Sequence, residues 1–274
     1  MLTDILKMHK QSLQLAADCC LNVRNIEEKK RFTHQIRNDW LKQEYKIDKK
    51  FVANSECISL YPDGISQVET HQLSKRSISN EIGHASLLHS FAHIEYNAIN
   101  IAWDAIYRFP FMPNEFYDDW TKIASEEAYH FSLIHEYLNE LGYQYGSFPV
   151  HGDLWEMVNL TKHDILHRMA LVPRVLEARG LDVTPSMISR FNHHGYSKAA
   201  SILEIIYNDE IGHVEIGSKW FHYICDQRKL NSSDVFSDLV CQYAINKIRK
   251  PFNEAARKKA GFSKTELEFL NSCR

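Results

Sequence analysis

The sequence contains few of the residues that interrupt helices: its 274 residues include only 10 glycines and 7 prolines. No stretch alternates apolar and polar residues as a half-buried β-strand does. Together with many leucine, isoleucine, alanine, glutamate and lysine residues, this scarcity predicts an all-α chain. Hydrophobic residues make up 44% of the sequence, which is enough to form a sizeable core.

The chain also lacks a strong net charge. It has 32 Lys and Arg residues against 35 Asp and Glu residues, for a formal net charge of -3. No overall basic field therefore indicates binding to nucleic acid or to an anionic membrane. The stretch 247–264 is locally cationic. We expect it to be a solvated face, although such a stretch could also attract an anionic substrate.

Several sequence features of membrane-bound, secreted and common catalytic proteins are missing. No run approaches the roughly 20 apolar residues that span a bilayer, and the N-terminal sequence is interrupted by charge, unlike a signal peptide. There is no glycine-rich phosphate loop, serine nucleophile elbow or zinc-binding Cys/His cluster. The cysteines form no C-x-x-C pair, which fits reduced thiols, and we expect a cytoplasmic protein without membrane association. They are Cys19, Cys20, Cys57, Cys225, Cys241 and Cys273.

What the sequence does contain is a duplicated pattern of acids and histidines. Glu-x-x-His occurs twice behind a second acid, and each copy follows a single upstream glutamate, by 32 residues in the first copy and by 33 in the second. The candidate ligands are Glu95, Glu127 and His130 in the first copy and Glu177, Glu210 and His213 in the second. Residues i and i+3 share one helix face, so each Glu-x-x-His directs two ligands to one point.

This inventory matches that of a four-helix bundle that holds two metal ions, in which two helices supply one glutamate each and two supply Glu-x-x-His. Carboxylate and imidazole ligands suit iron, with manganese as an alternative. Four ionised carboxylates would neutralise two divalent cations, whereas without metal they would repel one another. A third match, Glu81 with His84, lacks the duplicated spacing, and we expect His84 to cap or pack against a helix end.

The hydrophobic periodicity predicts bundle helices at about 81–108, 114–141 and 197–228, with helical segments over about 153–180 between the last two and a kink or break at Pro173. Gly180 should end the 153–180 stretch, and Thr184-Pro185 should begin a short helix to about 192. Further helices are predicted at 2–22, 25–44 and 233–249, and the polar connection 46–80 should wrap the bundle. We interpret residues 1–274 as one domain, with N-terminal helices and a loop (1–79), a metal-binding bundle (80–229) and a C-terminal helix and basic tail (230–274).

Three further residues lie beside the ligand positions. Glu126 and Asp209 each precede a ligand glutamate, off the inward face, where an acid can accept the free N–H of a ligand histidine on a neighbouring helix. The alternative for both is a solvated surface charge. Tyr207 lies one turn before Glu210, where it could be redox-active or control access to the site, or could simply pack as an aromatic side chain.

Long runs of this chain resemble the bacterial proteins of domain-of-unknown-function family 455. The runs are LLHSFAHIEYNAINIAWDAIYRF, MPNEFYDDWTKIASEEAYHFSLIHEYLNELGYQYGSFPVHGDLWE, RMALVPRVLEARGLDVTP and ILEIIYNDEIGHVEIGSKWFHYIC. The similarity covers about residues 80–228 and continues weakly into PFNEAARKKAGF. The resemblance implies a ferritin-like four-helix bundle with additional N- and C-terminal helices, and it implies the same six ligands, with Asp209 bonded to a ligand histidine. It implies no substrate.

The ligand pattern favours a dinuclear-iron carboxylate protein that activates O2, an oxidase or hydroxylase of an unidentified substrate that is a small molecule or carried on RNA. An oxygenase of this kind also requires an electron donor. Two alternatives remain: a protein that oxidises or handles iron, and a metal-stabilised helical interaction protein without turnover. The additional helices at both ends suit an enzyme that covers its substrate. The sequence leaves the oligomeric state open, with a homodimer among the possibilities.

Overall fold

The computed structural model describes residues 12–54, 61–73 and 78–273. It is all-α, a helical bundle fold with 73% of residues in helices, and within the described ranges the β-structure is limited to two isolated bridges. None of the described helices combines the length and apolar character that crossing a bilayer demands. The contacts divide the chain into two compact units, residues 1–159 and 160–274, which are described separately below.

The first unit is built around two long helices. In chain order its helices are α1 (Leu13–Asn22), α2 (Ile26–Leu41), α3 (Glu81–Arg108), α4 (Asn114–Glu140) and α5 (Asp153–Leu160), the last of which reaches the boundary. Helix α3 packs along α4, while α1 lies on α3 and α2 on α4. Buried aromatic side chains fill the space between them, among them Trp103, whose indole N–H donates to Thr33 Oγ1 at 3.0 Å.

Local sequence features explain where α3 begins and where α3 and α4 end. Asn80 accepts a hydrogen bond from the Gly83 N–H at 2.8 Å and so caps the first turn of α3. The chain leaves α3 at Phe109-Pro110, where a further turn would lose its amide hydrogen bond. After α4, Gly142 adopts a positive φ of 81°, which a glycine tolerates at a helix C-terminus. The predicted ranges 81–108 and 114–141 are confirmed.

The polar connection before α3 contacts the rest of the first unit where it is described. Gln67 forms a parallel bridge with Val150, and Tyr61 Oη donates to Asn97 Oδ1 at 2.9 Å. Thr70–Gln72 forms a local 3-10 turn. Residues 55–60 and 74–77, with Cys57, lie outside the described residues, as does the predicted helical stretch before residue 12. The five described cysteines are free thiols, as expected.

The second unit has one long helix with shorter elements on both sides. They are α6 (Ile165–Leu171), a π-helical turn (Val172–Glu177), α7 (Ala178–His193), α8 (Ser197–Arg228), α9 (Ser232–Leu239), a second π-helical turn (Val240–Ala244), a 3-10 turn (Ile245–Lys247), α10 (Glu254–Lys259) and α11 (Lys264–Ser272). Helices α6 and α7 both pack on α8, whose bounds match the prediction of 197–228. The predicted helix at 233–249 is divided into α9 and the two turns.

The expected break at Pro173 takes the form of the first π-helical turn. Proline lacks the N–H that an α-helix needs, and the backbone around it widens by one residue instead of ending the helix. Gly217 on α8 allows this turn to approach closely, since a Cβ there would lie 2.5 Å from Pro173 Cβ. The turn therefore packs directly on α8.

The prediction of a helix end at Gly180 and a new helix at Pro185 is wrong, because α7 runs through both residues. A glycine inside a helix costs only about 1 kcal/mol. Pro185 cannot donate to the carbonyl of Leu181, four residues earlier. That carbonyl instead accepts from Asn253 Nδ2 at 3.2 Å, so a tertiary contact replaces the missing helical bond.

Candidate metal centre

The first unit brings the first three predicted ligands together. Glu95 lies in the middle of α3, and Glu127 and His130 lie one turn apart on α4. All three side chains are buried: Glu95 is 3% exposed, Glu127 1% and His130 0%. Such burial is unusual for a carboxylate that has no partner. One ligand atom from each lies within 4.8 Å of the other two, the spacing of donors that can share an ion.

The imidazole lies between the two carboxylates of this cluster. His130 Nδ1 is 3.2 Å from Glu127 Oε2 and 3.6 Å from Glu95 Oε2, the second distance being beyond that of a good hydrogen bond. Within the described residues, the buried Oε2 of Glu95 has no hydrogen-bond partner. A buried carboxylate oxygen in that condition is costly, and a cation would relieve the cost.

The electrostatics of the cluster favour the binding of protons or of a cation. Burial, followed by the charge of Glu127, raises the pKa of Glu95 well above its ordinary value, and His130 only partly opposes this. Burial by itself would lower the pKa of His130, but the two carboxylates outweigh it and raise that pKa to about 11. Without a metal, the cluster therefore retains protons at neutral pH.

The second unit brings together two of the three remaining ligands. His213 is buried on α8, and its Nδ1 lies 3.6 Å from Oε1 of Glu210, whose side chain is 14% exposed. Glu177 ends the π-helical turn and is partly exposed. It does not join Glu210 and His213 in a group of three ligand atoms within 4.8 Å.

The three predicted supporting residues lie in different surroundings. Glu126 is partly exposed, and Lys122 Nζ lies 2.9 Å from its carboxylate, a pairing expected of a surface charge. Asp209 is partly buried on α8, one position before Glu210. Tyr207 Oη accepts a hydrogen bond from Asn253 Nδ2 at 3.0 Å, which gives this side chain a structural contact within the second unit.

Two histidines outside the ligand set, His84 and His93, have packing or hydrogen-bonding contacts in the first unit. His84 is buried against Tyr137, which fits the expected packing role. His93 is buried as well, at 4% exposure. Its Nδ1 lies 2.7 Å from Tyr145 Oη, and its Nε2 lies 3.0 Å from the His151 carbonyl, so the loop after α4 is bonded to α3.

A cavity of about 630 Å³ in the first unit opens beside this loop. Arg24, Asp63, His135 and Tyr145 are among its lining residues. None of the candidate ligands contributes to its wall, so the cavity supports no assignment of a substrate site.

The basic stretch 247–264 is mostly paired in the structure. Arg257 is buried at 3% exposure and bonded to Asp182, with Nη2 2.7 Å from Oδ2. Lys258 lies 3.3 Å from Glu254 on the same face of α10. The expectation of a solvated face therefore holds for Lys258 but fails for Arg257, because the sequence does not reveal that Asp182 lies opposite the arginine.

Comparison with known proteins places nearly the whole chain in one family. Residues 22–268 match the model of a family described as "Protein of unknown function (DUF455)". An uncharacterized protein of Haemophilus influenzae is 41% identical over 263 residues, which cover 92% of this chain and 91% of the relative. No solved structure shows a significant match. The chain therefore belongs to the DUF455 family of proteins of unknown function.

Proposed function

We propose that this protein binds two iron ions and uses them to activate O2 for the oxidation or hydroxylation of an organic substrate. The observation that carries the proposal is the buried cluster of Glu95, Glu127 and His130 in the first unit. We further propose that the duplicated ligands of the second unit complete the same dinuclear centre, within a ferritin-like arrangement of four helices. These are Glu177, Glu210 and His213.

The donor set fits the proposed ions. Four carboxylates carry four negative charges, which balance two divalent cations when both histidines are neutral. In the first unit, an ion would give Glu95 Oε2 the partner it lacks among the described residues and would remove the repulsion between Glu95 and Glu127. Manganese would satisfy the same ligands.

The residues of the chain would hold the centre and exclude water from it. Apolar side chains on the same faces of α3 and α4, such as Ile99 and Ile134, are buried at 1% and 0% exposure and keep the first ligand set dry. In the absence of metal, Glu95 and His130 retain the protons that ion binding would release. When bound, the two iron ions would supply Lewis acidity and the electrons for reduction of O2.

The proposed reaction requires an organic substrate and an electron donor. The substrate is an organic group, either on a small molecule or carried on RNA, and each turnover as an oxygenase also consumes electrons from a donor. O2 consumption by the reduced protein separates this function from a metal-stabilised interaction protein. Dependence of that consumption on an organic substrate, beyond the iron supplied, separates it from iron oxidation.

Metal content is the first test. Protein purified after expression with added iron is expected to carry close to two metal ions per chain, because the six ligands match a dinuclear centre. Elemental analysis and protein quantification on the same sample measure the ratio. A protein that stays metal-free, even after anaerobic reconstitution with ferrous iron or manganese, would contradict the proposal.

A pair of variants on α8 tests which acid is a ligand. Glu210→Ala is expected to lose at least one ion, because Glu210 shares a helix face with His213. Asp209→Asn should retain both ions but weaken binding by roughly 10–100-fold, the usual cost of losing a hydrogen bond to a ligand. Anaerobic titration with ferrous iron measures both. If Asp209→Asn bound no ion and Glu210→Ala bound both, the assignment of Glu210 as the ligand on α8 would be wrong.

A further inference from the structure

The C-terminal segment, residues 253–272, forms hydrogen bonds with residues on both sides of Glu177. Three residues before this ligand, Arg174 on the π-helical turn donates to Glu266 at 2.8 Å. Immediately after it, the carbonyl of Ala178 accepts from Arg257 Nη2 at 3.3 Å. The turn that carries Glu177 is therefore held at both ends by one segment from α10 and α11.

The contact at the first end is a fully buried ion pair. Arg174 and Glu266 both have 0% side-chain exposure, and Arg174 Nε also donates to Ser218 Oγ at 3.1 Å. Glu266 is fixed in turn by Ser263, whose N–H donates to its carboxylate at 2.8 Å in a capping box. The guanidinium carbon lies 4.5 Å from each of three ring centroids, those of Phe221, Phe236 and Phe262.

The contact at the second end is a bidentate pair. Arg257 Nε and Nη2 lie 3.0 and 2.7 Å from the two oxygens of Asp182, whose side chain is buried one turn after Ala178. The backbone N–H of Asn253 donates to the same carboxylate at 2.9 Å. These bonds fix the first turn of α7 to α10.

The same segment reaches the helix that carries the other two ligands of the second unit. Asn253 Nδ2 lies 3.0 Å from Tyr207 Oη, and Tyr207 precedes Glu210 by three residues on α8. Asn253 thus contacts α7 through Leu181 and α8 through Tyr207. One side chain connects the elements on which Glu177 and Glu210 lie.

These contacts suggest a role beyond stability. A buried ion pair is often no more stabilising than apolar residues of the same volume, so its best-supported use is to specify one geometry. A π-helical turn contains one extra residue, and its return to α-helical geometry would rotate everything after it by about 100°. Such a rotation would redirect the side chain of Glu177.

We propose that Glu266, Arg257 and Asn253 are positioning residues: by holding the π-helical turn and its flanks, they set the backbone geometry from which Glu177 would bind the proposed metal. This inference rests on the proposed function, because it assigns a role to residues around the proposed ligands. The proposed role of the C-terminal segment is to support the metal centre. Recognition of an anionic substrate is not part of that role.

Anaerobic titration of the full-length protein with ferrous iron tests the proposal, because it yields separate affinities for the two ions. Glu266→Gln removes the charge that holds Arg174 and keeps the size of the side chain. Arg257→Lys is a second, milder variant, which keeps the charge but loses the bidentate geometry. Leu270→Ala is the matched control, since Leu270 is 1% exposed on the same helix as Glu266 and its truncation destabilises the fold through packing alone.

We expect Glu266→Gln and Arg257→Lys to weaken one ion by roughly 10–100-fold while the affinity for the other changes less than about threefold. Leu270→Ala, titrated at a temperature where it remains folded, should bind both ions as the wild type does. The positioning role is overturned if the wild type binds two ions and the folded variants titrate as Leu270→Ala does. A wild type that binds no ion overturns the proposed function, and the positioning role with it.

Discussion

Replacing Glu95 by glutamine is expected to weaken metal binding by at least about 100-fold and yet to raise the free energy of unfolding of the metal-free protein by about 1 kcal/mol. Burial and the charge of Glu127 raise the pKa of Glu95, so the metal-free fold carries the cost of a carboxyl that it cannot easily ionise. The amide has the same shape, stays neutral and still presents an oxygen to His130.

The opposite signs of the two effects make this variant informative. If Glu95 were half of a structural ion pair with His130, its neutralisation would destabilise the fold by about 3–5 kcal/mol. Urea unfolding of the chelated protein, compared with ferrous iron titration of the same sample, measures both quantities. Glu126→Gln is the control, because Glu126 is paired with Lys122 at the surface, and it should change neither. Loss of stability without loss of metal binding would identify Glu95 as a structural acid.

The second prediction concerns a buried lysine in the first unit. Lys29 is 1% exposed, and its Nζ donates to the Cys20 carbonyl at 2.8 Å and to Asn100 Oδ1 at 2.6 Å. Burial lowers the pKa of Lys29 from 10.5 to about 8. Relative to Lys29→Met, the wild type is expected to gain about 2 kcal/mol of stability between pH 7 and pH 9.5.

The sign follows from the protons bound in each state. Between pH 8 and 10.5 the unfolded chain keeps the proton on Lys29 and the folded chain releases it. Because the unfolded state then binds more protons, the free energy of unfolding rises with pH across this window. The whole difference between 10.5 and about 8, at about 1.36 kcal/mol per pKa unit, amounts to about 3 kcal/mol.

Urea unfolding of both proteins at half-unit pH steps measures this difference, and groups that titrate in both proteins cancel. Lys42→Met, at an exposed position after α2, is the control and should remain parallel to the wild type at all pH values. A constant difference between the wild type and Lys29→Met would show that Lys29 stays protonated in the fold. Its contacts with the Cys20 carbonyl and the Asn100 amide oxygen would then offset its burial completely.

Local rules account for the parts of the structure that the sequence predicted. The bounds of α3, α4 and α8 follow from hydrophobic stripes of helical period and from end signals such as Asn80 and Gly142. The convergence of Glu127 and His130 follows from helix geometry alone, because residues three apart share a face. Membership of the DUF455 family could likewise be inferred from the sequence.

The tertiary structure decided the features in which residues distant in sequence meet. Pro185 reads locally as a helix start, yet α7 continues through it because Asn253, 68 residues later, bonds to the carbonyl that the proline leaves without a donor. The basic stretch reads as a solvated face, yet Arg257 is buried because Asp182 lies opposite. Periodicity and end signals act within a few turns of helix and are visible in the sequence. A buried charge depends on its partner, and only the folded chain determines which residue that partner is.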